Sequence, residues 1–224
     1  MFSRALPFAT FIFFLATSNF FERILSASSI DALWLYVIKI AAVAALIGYF
    51  WPKYTELKCI KAQSPELKAK HFFYAFLAGL FVFSLWILPY PAWALLGKDV
   101  AAVNPVQGQN TATVVIWLTI RLLGAALIVP IMEELFWRSF LMRWIDNKNF
   151  LSVSPEKVST YALIATSCLF ALEHQLWLAG LCAGLVYAWL YRTYRHLWIP
   201  IFAHAVTNGL LGAWVLLTGQ WQYW

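Results

Sequence analysis

Long apolar runs alternate with short polar breaks along the chain. The runs are Leu6–Phe21, Ala32–Trp51, Phe72–Tyr90, Ala112–Met132 with a charged continuation to Trp144, Thr160–His174, Leu176–Tyr191 and Trp198–Thr218. A helix that crosses the hydrocarbon core needs roughly 20 apolar residues. Barrel strands would instead alternate apolar and polar positions over about ten residues, and these runs do not. The pattern predicts an all-α, polytopic membrane helix bundle of about seven transmembrane helices, with six to eight allowed by the short first run and the turn at His174–Gln175. Residues 1–224 read as one integral membrane domain without internal repeats. The chemistry-bearing core is expected over about 112–217, from the polar residues placed there. The long break Pro91–Asn110 carries no chemistry of its own.

Composition supports the membrane reading. Hydrophobic residues make up 62% of the chain and charged residues 12%, against about a quarter charged in soluble domains. The net charge of +6 is topogenic in origin and does not mark a nucleic-acid partner: Lys53, Lys58, Lys61, Lys68 and Lys70 crowd the loop Pro52–Lys70. By the positive-inside rule that loop is cytoplasmic. Alternation then places the N-terminus, Arg143, Lys148, Lys157 and Arg192–Arg195 inside, and Pro91–Asn110 and the C-terminus outside. The Glu22–Arg23 turn is the one basic break on the wrong side. Thirteen tryptophans fit interfacial belts. Cys59, Cys168 and Cys182 have no metal-type spacing. Arg4 before an apolar run and the small residues Ser26–Ser29 resemble a signal peptide, but with further spans following, a retained first helix is expected.

Against this background the charges after Val114–Met132 stand out. That run is interrupted only by Arg121 and leads into Glu133, Glu134 and Arg138. An ionisable side chain in the bilayer costs a few kcal/mol on lenient scales and usually faces a protein interior or a wet cavity. Glu134 and Arg138 are four apart and share a helix face, so Arg138 is expected to neutralise Glu134. Glu133, rotated by about 100°, is left as the free carboxylate. One buried charge cluster that merely stabilises the bundle is the competing reading. His174, preceded by Phe170 and Glu173, ends the fifth run; His204 and Asn208 lie four apart on the last. Each alone fits interhelical hydrogen bonding. Measured from the basic loops at ~1.5 Å per residue, Glu133 lies about 20 Å in, His174 about 22 Å and His204 about 12 Å. That brings them towards one layer, expected as a wet pocket beneath the cytoplasmic face.

The chemistry open to such a set is limited. No HExxH or GxSxG motif is present, and neither Ser139 nor Ser167 sits in a nucleophile elbow. A buried glutamate beside a histidine can activate water, while a second imidazole and a carboxamide can donate to an oxyanion. Zinc held by Glu133, His174 and His204, with water in the fourth position, is the competing chemistry.

Taken in order, Glu133-Glu134-xxx-Arg138, Phe170-xxx-His174 and His204-xxx-Asn208 resemble the motifs of the CAAX prenyl protease and bacteriocin-processing family (CPBP or Abi), which are intramembrane glutamic endopeptidases. The likeness covers roughly Val114–Leu217. The stretches DALWLYVIKIAAVAALIGYFWPKYTEL, VPIMEELFWRSFLMRW, FALEHQLWLAG, LWIPIFAHAVTN and TGQWQYW extend it towards a CAAX protease-related branch associated with exosortase and PEP-CTERM sorting. The resemblance implies that Glu133, with help from His174, activates water, that His204 and Asn208 hold the oxyanion, and that Glu134, Arg138 and Phe170 shape the site. No cofactor is then required. A membrane-anchored protein or peptide is the implied substrate, exosortase-system proteins are the implied partners, and a bacterial inner membrane is the implied location. A non-enzymatic immunity or scaffold protein remains the alternative from another class. A transporter is disfavoured, because the first three runs carry little polar besides Lys39.

Overall fold

The computed structural model describes residues 1–27, 33–58, 67–97 and 104–223, without the side chains of Glu22, Ser26 and Ala27. Cys59, Lys61, Ser28 and Ser29 of the Ser26–Ser29 stretch, and the middle of Pro91–Asn110 lie outside the described residues. All regular elements described are helical: α1 (Phe2–Ala16), α2 (Ser18–Ala27), α3 (Leu33–Phe50), α4 (Ala69–Trp86), α5 (Thr111–Leu123), α6 (Val129–Glu134), α7 (Met142–Asp146), α8 (Thr160–Ala171), α9 (Trp177–Tyr194) and α10 (Trp198–Thr218), with short 3-10 turns between them. The polytopic helical bundle expected from the sequence is what forms.

Fewer of these helices can cross a bilayer unaided than the sequence suggested. Leu33–Lys53, Ala69–Trp86, Thr111–Asp146 and Trp198–Thr218 are long and apolar enough, and Phe2–Ala16 with Ser18–Leu25 makes a fifth span if the pair, bent by 57°, is counted as one. α8 has 12 residues, or about 18 Å of helix. α9 is long enough, but it carries tyrosines and glycines to pack inside the bundle and is not sufficiently apolar. Glu22–Arg23, read as a turn, lies within α2.

The bundle has two distinct ends. At one, the starts of α1, α8 and α10 meet the ends of α3, α7 and α9. The Arg4 guanidinium donates to both carboxylate oxygens of Glu56 at 2.6 Å and to the Lys53 carbonyl at 3.0 Å. Ser139 donates to the same carboxylate. Tyr54 Oη donates to the Ser3 carbonyl at 2.8 Å and the Trp198 indole to the Leu57 carbonyl at 3.0 Å. Arg143 holds the α7–α8 loop through the Val153 and Leu151 carbonyls, at 2.8 and 3.1 Å. Arg195 pairs with Glu156 at 3.9 Å. This is the basic end. At the other, the α8–α9 turn is tied to the segment after α4: the Leu96 amide donates to the Gln175 carbonyl at 2.7 Å, and the Trp177 indole donates to the Trp93 carbonyl at 3.2 Å.

α4 and α10 form a broad helix–helix seam in the core. Gly79 makes it tight, because a Cβ there would fall 2.5 Å from the Ala203 carbonyl oxygen and 2.8 Å from Val206 Cβ. Small residues at such crossings let membrane helices gain van der Waals contact where lipid offers no hydrophobic drive.

Candidate active site

The run Thr111–Asp146 is one continuous helical path of 36 residues, but its hydrogen-bond register changes twice. Wide π turns cover Gly124–Ile128 and Leu135–Leu141, on either side of α6. Such turns often sit at functional sites. The first has a local cause. In a π register the Ala125 carbonyl would pair with the nitrogen of residue 130, which is proline and has no hydrogen. Asn208 Nδ2 donates to that carbonyl instead, at 2.9 Å. Asn208 therefore spends one amide hydrogen on the helix opposite, a tie that α6 needs and that spacing alone did not reveal.

Glu134, fully buried, lies at the centre of a charged cluster. Arg138 Nη1 donates to its Oε1 at 3.0 Å, one turn along the helix, and His204 Nδ1 contacts the same oxygen at 3.0 Å. Arg138 Nη2 also donates to the Gly184 carbonyl at 3.3 Å, and its guanidinium lies 4.5 Å from the centre of the Phe170 ring. The expected Glu134–Arg138 pairing is present. The resemblance implied that His204 holds the oxyanion with Asn208; the contact between its Nδ1 and Glu134 was not expected.

His174 is anchored differently. Its Nδ1 lies 2.8 Å from the Phe170 carbonyl oxygen. A carbonyl can only accept, so Nδ1 carries the proton, and in the neutral ring Nε2 keeps a lone pair. The ring lies tilted by 38° against Phe170 with centroids 4.6 Å apart and meets Trp86 edge-on at 5.3 Å. His204 stacks on Tyr187 at 4.9 Å. Both imidazoles thus have fixed planes. Glu133 is 7% exposed, and its Oε2 is buried without a hydrogen-bond partner among the described residues. Glu134 Oε2 is buried without a partner as well, and burying a carboxylate oxygen in that state is costly; of the two residues, only Glu133 lines the cavity from which water can reach it.

Glu133, His174, His204 and Asn208 all line one cavity of about 870 Å³. Arg121, Ala125, Val129 and Glu133 form one wall at four-residue spacing, and Tyr187 and Thr207 complete the floor. The sequence reading missed those last two. Tyr187 Oη donates to Thr207 Oγ1 at 2.7 Å, and Thr207 Oγ1 donates to the Gly79 carbonyl at 2.9 Å. Thr207 sits beside Asn208, but nothing in the pattern of α9 marked Tyr187. Arg121, noted only as an interruption, lies in the cavity wall. Glu173, noted only as the neighbour of His174, lines it too.

The expected pocket beneath the cytoplasmic face is corrected in one respect. Glu133 and His204 lie closer along their helices to the basic end, as the depth arithmetic indicated. The cavity, however, runs away from that end, past Trp86, Pro89 and Tyr90 to Gln175, Gln222 and Tyr223. Loops counted from one side gave depth, but they could not say which side the helices leave open. Among the described residues no three His, Cys, Asp or Glu side chains converge closely enough to hold a metal ion. Cys168 and Cys182 are free thiols.

No curated protein and no solved structure matches the chain. Among protein families, residues 115–210 match the one described as "Type II CAAX prenyl endopeptidase Rce1-like". That stretch runs from α5 to past Asn208, so the part of the chain that builds the cavity is similar to a CAAX-type protease family.

Proposed function

We propose that the chain is an intramembrane endopeptidase that hydrolyses a peptide bond of a membrane-embedded or C-terminally anchored protein. The observation that carries this reading is the Glu133 carboxylate on the wall of a cavity it shares with His174, one oxygen buried and unpartnered. Glu133 takes a proton from water as the oxygen attacks the substrate carbonyl, and His174 Nε2, with its lone pair, orients that water. The developing oxyanion meets the remaining Asn208 amide hydrogen and His204 Nε2. Donation from Nε2 requires the imidazolium form, for which Glu134 supplies the counter-charge at Nδ1. Glu133 then returns its proton to the departing amine as the C–N bond breaks. Arg138 and Phe170 hold Glu134 and the two imidazoles in place.

On the resemblance to the exosortase-associated branch, the substrate is a C-terminal sorting signal in a bacterial inner membrane, handled alongside exosortase-system proteins. The reaction uses no metal; stoichiometric zinc in the purified protein, with turnover lost on its removal, would overturn that part. The main test compares membrane proteomes of a deletion strain complemented with wild type, Glu133→Gln or His174→Ala. Wild type should restore a set of cleaved membrane proteins. Both variants should insert and melt normally but lose cleavage by about 100-fold or more, as expected for a missing proton-transfer group. Full cleavage by both rejects the reading.

A further inference from the structure

The basic loops and the mouth of the cavity lie at opposite ends of the bundle. Lys53, Lys58, Lys68 and Lys70 flank α3 and α4 at one end, and Arg143, Lys148, Lys157, Arg192 and Arg195 flank α7, α8 and α9 at the same end. The contacts of Arg4 with Glu56, Trp198 with Leu57, and Arg195 with Glu156 hold these loops together. The cavity begins at mid-bundle, with Glu133 on the long path, His204 on α10 and Tyr187 on α9, and extends from there away from the basic end through Arg121, Leu211, Ala183 and Trp86. No residue from 134 to 146, from 188 to 198 or from 67 to 72 lines it. Beyond these residues the lining continues through Pro89, Tyr90, Gln175, Gln222 and Tyr223, in the segments that leave the bundle opposite the lysines.

Loops rich in Lys and Arg stay on the cytoplasmic side. We therefore propose that the cavity takes its polypeptide from the non-cytoplasmic side of the membrane, so that the substrate is a translocated chain or the outer flank of its anchor and not a cytosolic C-terminus. This rests on the proposed peptidase reading for the word substrate, but not for the direction of access. Arg121 and Glu133 are twelve residues apart on the wall, which is about 18 Å of helix, or roughly five residues of extended chain at ~3.3 Å each. A substrate must thread about that much backbone inwards to reach the acid. The mouth suits such a segment: Tyr90, Gln175, Gln222 and Tyr223 offer aromatic and neutral polar surface, with Glu173 the one carboxylate among them.

The test uses the full chain with Cys59, Cys168 and Cys182 replaced by Ser, carrying one new cysteine at a time, in sealed cells whose outer envelope has been opened. A membrane-impermeant maleimide should label Trp93→Cys at once and Lys148→Cys only after lysis. A small charged methanethiosulfonate should modify Glu133→Cys from outside the sealed cells and, in inverted vesicles, at least tenfold more slowly. Labelling of Lys148→Cys but not Trp93→Cys in sealed cells would overturn the proposal. So would modification of Glu133→Cys only in inverted vesicles, or from neither side. None of these readouts needs catalysis. Full cleavage by both Glu133→Gln and His174→Ala in the proteome comparison, with the labelling pattern intact, would remove the peptidase reading alone.

Discussion

Glu56 shows how a single side chain can matter without touching the candidate chemistry. Burial pushes its pKa up, but the two hydrogen bonds and the charge of Arg4, with a further bond from Ser139, outweigh that and hold it below the ordinary 4.5. A carboxyl whose folded pKa is depressed stabilises the fold fully above its unfolded value, and that stabilisation is lost as pH falls through the folded value. The thermal midpoint in detergent should therefore fall as pH drops below 4.5. Glu56→Gln should flatten that part of the profile. Because the change leaves the Arg4 guanidinium buried without its carboxylate, it should also cost about 3–5 kcal/mol at neutral pH, measured by chemical unfolding. Nothing in the residue pattern pointed to this pair, since Arg4 and Glu56 are separated by two helices and neither sits in a motif. The Glu134–Arg138 pair was legible because helix periodicity alone places the two on one face. His204 joined them only once α10 was packed.

At the scale of elements, the long helical path and the last helix depend on each other. The periodic run from Thr111 onwards was legible as one helix. Its two π turns were not, because hydropathy carries no information about hydrogen-bond register. Pro130 was the available signal, and its effect reaches Asn208 on another helix. Asn208→Ala should cost about 1 kcal/mol of stability through the uncapped Ala125 carbonyl. If Asn208 also serves the oxyanion, turnover should fall by about 100-fold or more, well beyond what that small destabilisation explains; melting and single-turnover rates together separate the two roles. Gly79 offers a second check. Gly79→Val adds atoms where a Cβ already falls 2.5 Å from a backbone oxygen. It should separate α4 from α10 at a cost of about 1–3 kcal/mol, seen as a lower melting temperature and as greater proteolysis.

For the whole molecule, composition and loop charge were enough to read a helical bundle with a basic end. Charge counting could not distinguish helices that span lipid from helices that only fill the bundle, because α9 is shielded by its neighbours and tolerates tyrosine and glycine where an isolated span would not. The direction of the cavity was equally hidden, since it depends on how the end of α4, the α8–α9 turn and the residues after α10 splay apart. The short α8 carries a consequence for the surrounding lipid. About 18 Å of helix stands beside a hydrocarbon layer of about 30 Å. Lipids at that flank must thin or tilt to cover it, at a modest cost per ångström of mismatch. The bilayer is then thinnest next to the acid, where water has the shortest distance to travel. Reconstitution in short-chain lipids should raise turnover relative to long-chain lipids, while the same series leaves the melting order of Gly79→Val and wild type unchanged.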